Sequence, residues 1–171
     1  MNVNKWTKSF VFKTENSKLT LPNVKNFYSD LAMLGKHFTV ISLQHDGQTP
    51  VKENRTIVRR HYTICNAMKK NFYEALVKAV QGKGSIEKAL ISDTDGDEIN
   101  MTIKTYGLNQ GLSTRFFTCP NETFQIKGPM GRGLELNKDS KGNFMAFAAG
   151  TGVLVFMDLV AKIVLKELNV P

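Results

Sequence analysis

Apolar and polar residues alternate along much of the first 130 positions of the chain, which is the spacing of half-buried β-strands. This pattern predicts strands at residues 6–12, 37–43, 55–64, 99–106 and 124–127. Turn residues, glycines and prolines separate these segments. Short strands separated by turn residues in this way favour an antiparallel barrel or sandwich.

The apolar period changes to that of a helix after residue 70. Apolar residues then follow at i, i+3, i+4, i+7 and i+8, namely Phe72, Ala75, Leu76, Ala79 and Val80. This stripe predicts an amphipathic helix over residues 71–81. Asn71 is a suitable N-cap for it, and Gly82 is suited to end it. The helix is therefore an insertion between two predicted strands.

The last 30 residues have a different pattern. Residues 144–148 are an uninterrupted apolar run that predicts a buried strand, residues 149–152 are small, and residues 153–168 are helix-forming. A buried strand, a glycine turn and a helix make up the opening unit of a parallel α/β domain. That helix has one narrow polar stripe, consisting of Asp158, Lys162 and Lys166. Because a helix that is otherwise apolar must be buried, we expect a partner chain or a missing C-terminal segment to cover residues 153–168.

Charge and length change this picture in two ways. The 171 residues suit one domain, or one domain and part of a second. Residues 1–91 carry 15 basic and 6 acidic side chains, whereas residues 92–171 carry 8 and 9. The basic half predicts an anionic partner: a phosphate-bearing cofactor, a nucleic acid, an acidic protein or an anionic membrane.

Cysteine content and hydropathy bear on location. Two cysteines cannot form a disulfide framework for a chain of this length, which favours a reduced intracellular setting, either mitochondrial or cytoplasmic. No apolar run approaches the roughly 20 residues of a transmembrane helix. The three histidines and two cysteines do not have the sequence spacing of metal ligands, so no metal site is predicted.

Three short motifs could carry chemistry. In the segment Arg60-His61-Tyr62-Thr63, strand alternation places Arg60 and Tyr62 on one face, where an Arg can grip a phosphate. The segments 111–114 and 150–152 each place glycine before a predicted helix, where backbone N–H groups can approach an anion. Each motif also has an ordinary structural interpretation: an exposed Arg with a half-buried Tyr, a helix N-cap, and a small-residue loop.

The order of these motifs resembles that of the ferredoxin–NADP reductase superfamily. The motifs are R-x-Y-T, a strand ending I-K-T-Y, then G-L-S-T, G-P-M-G and A-A-G-T-G before a helix. The chain is more closely similar to NADH-dependent flavin reductases that serve haem proteins. The resemblance implies a mainly β fold with α: an antiparallel Greek-key flavin-binding barrel at residues 1–133, with the inserted helix. The first βα unit of a nucleotide-binding α/β domain would follow at residues 134–171.

The resemblance also implies a role for each motif. FAD would bind to Arg60, His61, Tyr62, Thr63, Thr102, Lys104, Tyr106, Gly111, Ser113, Thr114, Gly150, Thr151 and Gly152. Arg60 would hold a flavin phosphate, and Tyr62 and Thr63 would contact the isoalloxazine or the ribityl chain. The catalytic positions would be Thr63 and Thr151, with Thr151 near the junction of flavin and nicotinamide.

Several positions depart from the family pattern. His61 and Asn66 stand where proline and serine are usual, Leu112 replaces a lysine-like residue, and Ala149 replaces a glycine. Only 42 residues (171 − 129) follow Pro129, which is short for a complete hydride-donor site. These departures affect NAD(P)H binding more than FAD binding.

Three functions are therefore open. The first is an FAD-binding reductase module that passes electrons from nicotinamide to an acidic acceptor protein such as a haem protein. The second is a reductase-like structural or accessory subunit of a larger assembly, with FAD retained or lost. The third is a nucleic-acid binder, which we set aside because the proposed FAD pyrophosphate already accounts for the positive charge.

Overall fold

The computed structural model describes residues 2–13, 31–44, 56–86, 98–106, 111–119 and 121–168. The strands are β1 (Asn2–Asn4), β2 (Thr7–Lys13), β3 (His37–Gln44), β4 (Thr56–Thr63), β5 (Glu98–Lys104) and β6 (Gln125–Met130). The α-helices are α1 (Lys70–Val80), α2 (Leu112–Thr118) and α3 (Leu154–Glu167). Single 3₁₀ turns lie at Leu31–Met33, Asn66–Met68 and Gly150–Val153. The predicted turn at residues 45–47 lies outside the described residues.

The six strands form two antiparallel three-stranded sheets, in the orders β1-β2-β5 and β4-β3-β6. An isolated antiparallel bridge between Ile64 and Met101 joins the end of β4 to β5. The described residues thus have a mixed architecture, with antiparallel strands in two sheets and three α-helices. Within the described ranges, the strands do not close into a barrel.

The main core fills the space between the two sheets. Phe38 and Val40 from β3 meet Met101 and Ile103 from β5, and all four are almost completely buried. Phe116 of α2 closes this core at one end, where its ring lies 4.6 Å from that of Phe124. The short helix α2 is therefore held by apolar burial rather than by helix propensity.

Strand β5 does not have the exposed face that its alternation predicts. Every residue from Ile99 to Ile103 is buried, including Asn100 and Thr102. The Asn100 side chain accepts a hydrogen bond from the Ser9 hydroxyl (2.9 Å) and donates one to the Cys65 carbonyl (2.5 Å). These long-range partners allow a polar face to be buried, and sequence alternation contains no information about them.

Helix α1 forms where the 3.6-residue period predicts it, but its start differs. Lys69 occupies the N-cap position without a side-chain hydrogen bond, so the capping role predicted for Asn71 is wrong. Phe72 points into a second core, where it packs with Ile86 of the following segment and with Ala161 and Leu165 of α3. This second core attaches α3 to the rest of the molecule.

The polar stripe predicted on α3 is only partly exposed. Asp158 is 2% exposed and faces the interior beside Ala161 and Leu165. Its carboxylate accepts hydrogen bonds from the backbone N–H groups of Asn66 (3.3 Å) and Ala67 (2.7 Å). Because these N–H groups begin a 3₁₀ turn, Asp158 caps that turn from a distant helix.

The predicted strand at residues 144–148 does not form. This segment has no regular secondary structure and is exposed: Phe144, Met145 and Phe147 leave 68%, 82% and 87% of their surfaces accessible. A parallel strand requires a neighbour to pair its backbone groups, and within the described residues this segment pairs with none. Val153, Val160 and Ile163 of the adjoining helical region are also exposed.

None of the helices in the described parts of the chain combines the length and the apolar character needed to cross a membrane.

Candidate functional site

An open cleft of about 740 Å³ lies between β4, β5, the start of α2 and the turn before α3. Its volume is within the range of sites that bind small molecules and cofactors. The residues that line it are Val58, Arg60, His61, Tyr62, Thr63, Thr102, Ile103, Lys104, Tyr106, Gly111, Leu112, Ser113, Thr151 and Leu154. Segments distant in sequence therefore meet around one cavity.

Most of the residues predicted to bind a cofactor lie around this cleft. Ten of the thirteen line it: Arg60, His61, Tyr62, Thr63, Thr102, Lys104, Tyr106, Gly111, Ser113 and Thr151. The other three are Thr114, Gly150 and Gly152. The Thr114 hydroxyl bonds to that of Thr105 at 3.2 Å, while both glycines are exposed with open space around their Cα atoms. The approach of their backbone N–H groups to an anion stays a prediction.

Strand β4 presents Arg60 and Tyr62 on one face, as its alternation predicts. Arg60 pairs across the sheet with Val40, and Tyr62 pairs with Phe38. The Tyr62 ring packs edge-on against Phe116, with 5.4 Å between the ring centroids. Burial raises the pKa of Tyr62 to about 12, and the nearby Arg60 charge opposes this rise. Tyr62 therefore forms one side of the cleft as a packed aromatic ring, and its hydroxyl stays protonated at pH 7.

Unlike the half-buried Tyr62, Arg60 is exposed to solvent where it lines the cleft. One guanidinium nitrogen donates a hydrogen bond to the carbonyl oxygen of Arg59 at 2.9 Å. The second cation of the cleft is Lys104, whose ammonium lies 5.1 Å from the ring centroid of Tyr106. Among the described residues that line the cleft there is no Asp or Glu. Two cations without an acidic counterpart favour an anionic ligand.

The second face of β4 carries His61 and Thr63. They pair with Thr39 and His37 of β3, respectively. The Thr39 hydroxyl lies 2.8 Å from Nδ1 of His61, and the two imidazole rings make an edge-to-face contact with 4.8 Å between centroids. The strand thus places a histidine pair beside the cleft.

A buried polar group lies at the floor of the cleft. The Thr102 hydroxyl is buried and makes no hydrogen bond of ordinary geometry within the described residues, although it lies close enough to Cys65 to lower the pKa of that thiol. Burial, helped by the Asp158 charge, has the larger opposite effect and raises the pKa of Cys65. Cys65 is therefore an unreactive thiol, and a cleft ligand could use the Thr102 hydroxyl.

Sequence reasoning missed two residues of this region. The sequence pattern places His37 in an alternating strand without the spacing of a metal ligand, and it places Asp158 in a polar stripe. A single acidic residue in an otherwise apolar helix was the available signal for Asp158, because such a residue is either solvated or buried with partners. For His37 there was no signal, since the pairing of β3 with β4 brings it to His61.

Comparison with known proteins identifies no relative. No protein-family model matches the chain, and no curated protein or solved structure is significantly similar to it.

Proposed function

We propose that this chain is an FAD-binding electron-transfer module of the reductase type. The observation that carries the proposal is the cleft, which combines two cations, no acidic side chain among its described lining and the half-buried Tyr62 ring. A dinucleotide with a pyrophosphate and a planar ring needs these features. Within the proposal the module lies in a reducing intracellular compartment, consistent with the unpaired state of Cys65 and Cys119.

The strand order supports the fold that this function requires. If the Ile64–Met101 bridge is followed, the strands run in the order β6-β3-β4-β5. Three consecutive antiparallel strands with a fourth returning beside the first constitute a Greek key. We therefore retain a Greek-key flavin barrel as part of the proposal.

The residues present fit the cofactor at three points. Arg60 would hold the pyrophosphate, together with Ser113 and the backbone at Gly111. Tyr62 would lie against the planar ring, and Lys104, the second cation of the cleft, would lie near the cofactor. When bound, the flavin supplies the redox chemistry by accepting electrons from nicotinamide and passing them to an acceptor such as a haem protein. Thr63 and Thr151 would position groups near its reacting edge.

The first test measures FAD binding by the purified chain with and without Arg60. Arg60→Ala is expected to weaken FAD binding at least about tenfold, because a hydrogen bond to a charged group contributes about 1.5–3 kcal/mol. Flavin fluorescence during titration measures the dissociation constant. Arg59→Ala is the matched control: Arg59 is the adjacent residue on the other face of β4 and does not line the cleft. A native chain that takes up no FAD would refute the proposal.

A second candidate function is that of a reductase-like accessory subunit of a larger assembly. The exposed apolar residues Phe144, Met145 and Phe147 favour it, because apolar patches of this kind usually mark interaction sites. A partner chain or a further segment of polypeptide would cover them together with the outer surface of α3. Catalysed reduction of an artificial acceptor by NADH separates the two functions, since only the reductase module shows it.

The exposed apolar segment leads to a further prediction. Met145→Ser combined with Phe147→Ser is expected to reduce both the binding of an apolar fluorescent dye and the self-association of the chain, because these side chains leave most of their surface in water. Dye fluorescence and light scattering measure the two effects. Ile57→Ser removes an exposed apolar residue from β4 and is the control. An equal effect of both substitutions would show that the segment is not a distinct surface.

A further inference from the structure

We infer that His37 and His61 form a binding site for a late first-row divalent metal ion, Cu²⁺ or Zn²⁺, at the rim of the cleft. The inference is independent of FAD, because it depends only on the sheet formed by β3, β4 and β6. Imidazole nitrogens are the preferred neutral ligands of these ions.

The sheet register brings the two imidazoles together. His37 pairs with Thr63, and Thr39 pairs with His61, so the two histidines are diagonal neighbours on the same face of adjacent strands. Side chains in this relation are within reach of one another. Their ring centroids are 4.8 Å apart and the ring planes cross at 74°. One metal ion can therefore contact a nitrogen of each ring after a modest rotation of the side chains.

Thr39 holds the Nδ1 edge of the His61 ring. The Thr39 hydroxyl oxygen lies 2.8 Å from Nδ1 of His61 and 3.6 Å from the sulfur of Met130. In the tautomer that carries its proton on Nδ1, His61 donates that proton to Thr39, and the lone pair of Nε2 is available to a metal ion. A hydroxyl or carbonyl oxygen that binds one imidazole nitrogen and leaves the other for the metal is the usual arrangement around metal-binding histidines.

Packing against Gly131 orients the His37 ring. A Cβ atom at Gly131 would come within 3.0 Å of Nδ1 and Cε1 of the His37 ring, so the glycine backbone lies against the Nδ1 edge. One cation bound between the two rings uses a lone pair of each.

The site has only two strong protein ligands. Within the described residues, no group of three or more His, Cys, Asp or Glu side chains is arranged to hold a metal ion. Water or a ligand in the cleft would complete the coordination, as in sites that keep open positions. Because His61 lines the cleft, the bound ion would lie at its rim.

The test is calorimetric titration of the untagged full chain with CuCl₂ and ZnCl₂ at neutral pH, with MgCl₂ as a negative control. We expect one ion per chain, with Cu²⁺ bound more tightly than Zn²⁺ and no binding of Mg²⁺. His37→Gln or His61→Gln should weaken Zn²⁺ binding at least about tenfold, since losing an outer-shell partner alone costs 10- to 100-fold. His45→Gln removes the third histidine and should leave binding unchanged.

A second measurement uses the native chain, so its result does not depend on whether the variants fold. In NMR spectra, Zn²⁺ should shift the imidazole signals of two histidines together and leave those of the third in place. The inference is overturned if the folded native chain binds neither Cu²⁺ nor Zn²⁺, or if His45→Gln abolishes binding while the other two substitutions do not. FAD titration of the same variants is a separate readout, so failure of the metal site is distinguishable from failure of the proposed flavin site.

Discussion

The free energy of unfolding is expected to fall by about 4 kcal/mol as the pH rises from about 4 to about 7, because of Asp158 alone. Burial raises the pKa of Asp158 from 3.8 to about 7, and the backbone N–H groups of Ala67 and Asn66 only partly offset this rise. In this interval the native state holds a proton that the unfolded chain has released. With respect to this group, stability is therefore greatest below pH 4 and declines while the carboxyl is ionised only in the unfolded chain. It levels off above about pH 7, where the carboxyl ionises in the folded protein as well.

Chemical denaturation at several pH values measures this effect. Asp158→Asn should flatten the pH dependence over the same interval, because the amide does not titrate and its oxygen can still accept the bond from Ala67. Asp139→Asn is the control, since Asp139 is exposed and its replacement should leave the pH profile unchanged. A native chain whose pH profile matches that of Asp158→Asn would show that Asp158 does not titrate in this way.

Phe116→Ala is expected to reduce the free energy of unfolding by about 3–5 kcal/mol, the usual cost of deleting a buried aromatic ring. Phe116 is 2% exposed, and its ring lies 5.3 Å from that of Phe12 and 4.6 Å from that of Phe124. The substitution therefore leaves a cavity where α2 meets both sheets. It also removes the ring against which Tyr62 packs, so FAD affinity is expected to fall as well.

Urea denaturation measures the change in stability. Phe147→Ala removes a ring of the same size that is 87% exposed, and it should change stability by no more than about 0.5 kcal/mol. Phe116→Leu is a milder substitution for use if the alanine variant does not fold. A loss below about 1 kcal/mol for Phe116→Ala would show that α2 contributes little to the core.

The two proposed sites meet at strand β4. Arg60 and Tyr62 on one face serve the proposed flavin site, and His61, which also lines the cleft, joins His37 in the proposed metal site. A metal ion at the rim would add positive charge next to Arg60, which favours an anionic ligand. Measuring FAD affinity with and without Zn²⁺ would therefore report coupling between the two sites.

Local periodicity was sufficient to predict most of the secondary structure. The period of two residues located β2 to β6, and the period of 3.6 residues located α1 and α3, because both depend on neighbours close in sequence. Ten of the thirteen residues that the motif order assigns to a cofactor line one cleft, while their binding of a flavin is a proposal.

Contacts between residues distant in sequence decided which predicted elements form and which polar side chains are buried or brought together. The apolar run at residues 144–148 has the composition of a strand but lacks a pairing partner in the described structure, so it forms no strand and stays exposed. Asp158 is buried because N–H groups about 90 residues away in the chain bind its carboxylate. His37 meets His61 only through the register of β3 and β4. Burial, pKa and metal-binding geometry depend on such partners, and no sequence period encodes them.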